Sequence, residues 1–139
     1  MNAQTLTSPV LAALVPDHER VHTLPRHFGS HLLVAETAIF EWLRELSSDY
    51  QGGYWHFYEL SNGGFYMAPD VRGRFGIEVP GNGYHGCMSA DAAGIRACLF
   101  AYSHLSFRFR DGPFGNHFAW LLDFAADHAE ASAILAATD

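Results

Sequence analysis

GGYWHFYELSNGGFYMAP, Gly52 to Pro69, is the stretch that decides how this chain folds. Tyr54 to Leu60 is dense in aromatic side chains, and Phe65 to Ala68 resumes the pattern after a Ser-Asn-Gly-Gly break. Such residues suit a pleated, half-buried surface, and Asn-Gly between two such runs is a hairpin signal. Pro69 stops the second run because it has no N–H for a ladder. The segment therefore reads as a β-hairpin. On its first strand Tyr54, His56 and Tyr58 face one way, Trp55 and Phe57 the other. Neither face is simply polar, so both need cover: helices on one side, the N-terminal arm or an external partner on the other.

Working outward, Arg74 to Val79 (RFGIEV) alternates Phe75, Ile77 and Val79 with Arg74, Gly76 and Glu78, the period of a half-buried third strand. A three-stranded antiparallel meander is the economical arrangement. Upstream, Ser30 can cap HLLVAETAIFEWLREL, where Leu32, Ala35, Ile39, Trp42 and Leu46 recur at spacings of three and four, an amphipathic helix. Ser89 and Asp91 open a second helix to about Phe107. Between Ala92 and Ser106 its only charge is Arg96, which predicts the central buried helix. Asn116 can cap a third helix carrying Phe118, Leu121, Leu122 and Ala125. Asp127 with Glu130 resembles a capping box for a short last one.

The expected fold is α+β: a small three-stranded antiparallel meander packed with about four helices, one domain over residues 1–139. Within it, residues 1–29 read as an irregular arm with room for one short turn of helix, because Pro9, Pro16 and Pro25 interrupt helix.

Composition narrows the function. With 49% hydrophobic and 17% charged residues the chain is globular rather than disordered. A formal charge of −7 argues against strong binding to bare DNA. It is also too sparse for DNA mimicry, since duplex DNA carries about one charge per 1.7 Å. Two cysteines, Cys87 and Cys98, and a start lacking a basic, apolar leader predict a reduced, cytoplasmic protein. No run reaches the roughly 20 apolar residues of a membrane span.

Several local patterns carry residue types used in catalysis or binding. GNGYHG (Gly81 to Gly86) fits a dinucleotide-binding pattern, but no second parallel strand with an acidic end follows, so it reads as a glycine-rich connection. His18, His22, His27 and His31 offer metal-ligand spacing broken by Pro25. His85 and Cys87 share a strand face. The competing class is therefore a small enzyme, a metal-assisted hydrolase through the arm histidines or a thiol enzyme through Cys87 and His85, with a nucleic-acid-binding module as the third class. FRFR (Phe107 to Arg110) and RGR (Arg72 to Arg74) could pair arginine with stacking surfaces for single strands, although Phe107 and Phe109 read more simply as packed ends of the second helix. Glu41, Glu45 and Asp49, spaced by four, read as a solvated stripe. No catalytic set, cofactor site or metal site is assembled by these patterns. Tyr and Arg are favoured at interfaces, so Tyr54, Tyr58, Tyr66, Arg72 and Arg74 are the candidate partner-binding residues.

YQGGYWHFYELSNGGFYMAP (Tyr50 to Pro69), followed by GIEVPGNGYHGCMSADAAGI (Gly76 to Ile95), closely resembles the KlcA/ArdB antirestriction family of plasmids and other mobile elements. A looser likeness runs from LPRHFG in the arm to DHAEASAILAATD at the end. The resemblance implies a small cytoplasmic α+β protein that relieves type I restriction of incoming DNA. It implies non-catalytic inhibition without a cofactor, with a type I restriction enzyme complex as the partner. It carries over no catalytic residues.

Overall fold

The computed structural model describes residues 9–137. The hairpin forms as the sequence dictates: β2 (Trp55–Leu60) and β3 (Phe65–Pro69) pair antiparallel, with Tyr58 opposite Tyr66 and Phe57 opposite Met67. The three-stranded antiparallel meander is present, but its third strand comes from the arm. β1 (Ala12–Leu14) pairs with β2, placing Leu14 opposite Tyr58. RFGIEV instead supplies β4 (Arg74–Glu78), which pairs with β5 (His85–Ser89) in a separate two-stranded sheet. Gly81 and Gly83, at φ 91° and 78°, let the chain reverse between them. The glycine-rich connection is thus the tip and second strand of another hairpin.

The reason β4 does not join β3 lies in α3 (Ala90–Arg108), which occupies the free edge of that strand. The Tyr102 hydroxyl donates to the Phe65 carbonyl at 2.7 Å, and the Cys98 thiol to the Met67 carbonyl at 3.7 Å. These side chains satisfy carbonyls that a further strand would have paired. Burial pushes the Cys98 thiol up to about 12, so it stays protonated as a donor. As its nearly all-round apolar sequence predicts, α3 is the central helix, buried from Ala92 through Leu99.

α2 (Leu32–Leu46) buries Ala35, Ile39, Leu43 and Leu46 and stacks Trp42 on Phe100 of α3, ring centres 4.6 Å apart. The arm is more regular than its prolines suggested. After β1 and a single 3-10 turn it forms α1 (Arg20–Phe28), which holds Pro25 within it and ends at Gly29, φ 54°. Phe28 pins this helix to the core, packing against Phe65, Tyr102, Phe114 and His117 with ring centres 4.8–5.8 Å apart. α4 (Phe114–Ala126) starts ahead of Asn116, with Pro113 at its N-cap position and no side-chain cap. α5 (Ala131–Ala136) docks through Ile134, whose carbonyl accepts from fully buried Arg96 at 3.0 Å. Phe107, expected to pack at the end of α3, is instead 71% exposed.

Candidate functional site

The alternation along β2 leaves Trp55 and Phe57 in the core and turns Tyr54, His56 and Tyr58 outward. These rings form a row: Tyr54 to His56 at 5.6 Å, His56 to Tyr58 at 6.3 Å, and Tyr58 stacked on Tyr66 at 4.7 Å. Tyr66 stacks in turn on Phe124 of α4 at 5.5 Å. The row therefore begins at Tyr54, 49% exposed, and ends inside the core at Tyr66, 2% exposed. Leu14 on β1, 55% exposed, extends it sideways.

Most polar tips in the row are held by a carboxylate. The Tyr54 hydroxyl donates to Asp17 at 3.0 Å, His56 Nε2 lies 3.0 Å from Asp70, and the Tyr66 hydroxyl donates to Asp91 at 2.8 Å. Burial, then the Asp91 and Asp70 charges, raise the Tyr58 hydroxyl above its ordinary range. The hydroxyl of Tyr58 therefore stays protonated, able to donate to a partner. A cleft of about 270 Å³ opens beside it, walled by His56, Asp70, Val71, Ser89 and Asp91. Arg20, from α1, lies over the rings of Tyr54 and Phe57 at 4.5 and 4.0 Å and braces the exposed end.

Behind the cleft runs a polar network that links chain segments far apart in sequence. The Glu130 N–H donates to His128 Nδ1, which leaves the proton on Nε2 to donate to Asp91 at 2.8 Å. Glu130 itself accepts from the Ser89 N–H at 3.0 Å and from the Ser89 hydroxyl, and Arg74 lies 3.4 Å away. Burial alone would raise the Glu130 carboxyl, but the two Ser89 donors, with Arg74 and His128, bring it below the usual carboxylate range. Asp127 and Glu130 were expected to form a local capping box. Glu130 instead fixes Ser89, whose oxygen caps α3 by accepting from the Ala92 N–H at 3.1 Å. Replacing Ser89 by alanine removes this cap and leaves Glu130 underbonded, an expected loss of about 1–2 kcal/mol. Urea unfolding would register it as a lower midpoint at unchanged slope; an unchanged midpoint would show that the cap contributes nothing.

Of the five residues singled out from the sequence, the structure brings Tyr58 and Tyr66 into contact and sets Tyr54 along the same row. Arg72 is exposed on the turn between β3 and β4. Arg74 is exposed on β4, donating to the Cys87 carbonyl at 3.0 Å. Tyr66 is buried, so its part is to support Tyr58 from below. His56, Asp70 and Leu14 belong to the same surface and were not singled out. The i, i+2 alternation with Tyr54 and Tyr58 marked His56, whereas Leu14 carries no local signal. The arm histidines diverge: His18 and His22 are exposed, His27 sits 3.4 Å from Glu59, and His31 packs on Phe109. Among the described residues no three His, Cys, Asp or Glu side chains converge as metal ligands. His85 and Cys87 are both exposed on β5, and no hydrogen bond joins them among the described residues.

Fold and surface together define a small α+β protein presenting a braced aromatic row beside a polar cleft. Residues 48–139 match the family model described as antirestriction protein. Over its full length the chain is 45% identical to an antirestriction protein KlcA from Escherichia coli, covering all of both chains. It is 40% identical to the protein YfjX of Escherichia coli K12, over 90% of this chain and 85% of the other. A solved structure from work on KlcA and ArdB superposes with a TM-score of 0.88 at 45% identity, covering all of both chains. That work describes a novel fold and activity against type I DNA restriction systems in vivo but not in vitro. The chain belongs to the antirestriction protein family. Among the described residues no helix is long and apolar enough to cross a membrane.

Proposed function

We propose that this protein relieves type I restriction of incoming DNA in the cytoplasm of a cell carrying a plasmid or other mobile element. In this reading it works by contact with the restriction complex rather than by catalysis or by imitating DNA. The observation that carries the reading is the likeness to KlcA, undiluted by gaps in coverage at either end. The charge supports contact over mimicry: a net −7 with arginines interspersed is far sparser than a phosphate backbone. The solved relatives are active in vivo but not in vitro, so the test belongs in cells.

Unmodified phage plated on a strain with a type I system is expected to form more plaques when this protein is present, with no change on a restriction-free strain. An unchanged count with folded protein present would remove the reading. Tyr54 and Tyr58 are the proposed contacts, with Arg72 and Arg74 at the margin and Tyr66 as support. Because Tyr54 is half exposed, Tyr54→Ala leaves the core intact. Together with Tyr58→Phe, which deletes only a hydroxyl, it is expected to cut restriction relief about tenfold or more. Full relief by a folded double variant would move the contact to another face.

A further inference from the structure

The stripe Glu41, Glu45 and Asp49 is not a free helix face. Glu45 and Asp49 form one wall of a cleft of about 620 Å³ whose other wall is Glu78 and Tyr84, from the β4–β5 hairpin. Glu45 is also shared with an adjoining trough of about 210 Å³ lined by Glu41 and Trp42. Cleft and trough make one groove along the C-terminal half of α2. Its shape is set by backbone contacts: Asp49 accepts from the Gly76 N–H at 2.8 Å, and Tyr84 lies over Gly86, where a Cβ would come within 2.7 Å of the tyrosine hydroxyl.

The electrostatics of this groove are predominantly acidic, with Arg44 and His85 as its basic side chains. Four carboxylates, Glu41, Glu45, Asp49 and Glu78, come from three separate segments, and among the described residues none is ion-paired. The guanidinium lining the cleft, Arg44, leans over the Tyr50 ring at 5.9 Å. The C-terminal end of α2, where carbonyl dipoles sum to a partial negative charge, opens on the same space. Uncompensated carboxylates beside two aromatic rings are the surroundings a planar cation satisfies best, by bidentate hydrogen bonds and by stacking. Nucleic acid is repelled by the same charges. A metal ion lacks a convergent ligand set among the described residues.

We propose that the groove binds a basic segment of a partner protein, with one arginine between Glu41 and Glu45 against Trp42 and a second between Asp49 and Glu78 against Tyr84. The site shares no residue with the aromatic row and does not depend on the antirestriction reading. The test is titration of the peptide acetyl-GRGGRG-amide into the full ¹⁵N-labelled chain at low salt. Amide shifts are expected to cluster at Glu45, Asp49, Gly76 and Gly86 and to shrink with added salt. Glu45→Gln with Glu78→Gln, both exposed positions, is expected to weaken binding about tenfold, whereas Asp123→Asn with Asp127→Asn, remote and equally exposed, leaves it unchanged. Absent shifts, shifts spread over all acidic surfaces, or equal loss in both double variants would overturn the proposal.

Discussion

Gly94→Ala is expected to destabilise the protein by about 3–5 kcal/mol, a large part of the roughly 5–15 kcal/mol that holds a domain folded. The added methyl would lie 2.5 Å from the Met67 carbonyl oxygen and 2.6 Å from the Ala68 Cα. Both are backbone atoms, so neither can rotate aside. Relief requires α3 to withdraw from β3 by roughly 1 Å, since packed carbon atoms prefer about 3.5–4.0 Å. Withdrawal stretches the Tyr102 and Cys98 hydrogen bonds that satisfy the Phe65 and Met67 carbonyls, leaving buried acceptors unpaired. Alanine is the better helix former by about 1 kcal/mol, which offsets only a fraction. Urea unfolding followed by circular dichroism measures the effect. A midpoint equal to that of the unaltered chain would mean that α3 slides away from β3 at no cost.

The same contact explains where reading the sequence stops. The central hairpin and α2 are legible because an Asn-Gly turn and 3.6-residue periodicity are local signals, and α3 because a capping Ser89 opens a long run with a single charge. Which strand fills the third place is not local. RFGIEV has the right alternation to continue the meander, but the edge it would need is taken by Tyr102, Cys98 and Gly94. In the sequence these look like ordinary positions of an apolar helix. The strands that complete the two sheets are the ones with weak propensity: β1 is Ala-Ala-Leu, and β5 contains Gly86 and Cys87. Glu130 teaches the same lesson in polar terms. Its spacing from Asp127 suggests a bond within one turn, whereas its partner Ser89 lies 41 positions away. The aromatic row was legible in its exposed members through strand alternation. The burial of Tyr66 was not, because Phe124 and Asp91 cover it from helices whose docking no short window encodes.

Lowering the pH from 7 to 4 is expected to cost the fold up to about 3 kcal/mol through His117 alone. This side chain is 2% exposed, its ring against Phe28 at 4.8 Å and edge-on to His27 at 5.1 Å, and its Nδ1 has no hydrogen-bond partner among the described residues. Burial, and then the neighbouring His27, lower its pKa from 6.5 to about 4, against a smaller upward pull from a hydrogen bond to the His27 backbone. The folded state therefore prefers the neutral ring. Well above pH 6.5 neither state carries the proton and stability is complete. Between 6.5 and 4 the unfolded chain takes up a proton that the folded chain refuses, so stability falls with pH. Below about 4 both states are protonated and this contribution levels off. His27, lowered first by its own burial, adds in the same direction. Gln at position 117 keeps an N–H for the His27 carbonyl and cannot titrate. His117→Gln is thus expected to be less stable than the unaltered chain at pH 7.5, yet to lose less on acidification to pH 4.5. Urea midpoints at pH 7.5, 6.0 and 4.5 compare the two. Parallel curves would place the acid sensitivity elsewhere, and a steeper fall in the variant would contradict a neutral His117 in the folded protein.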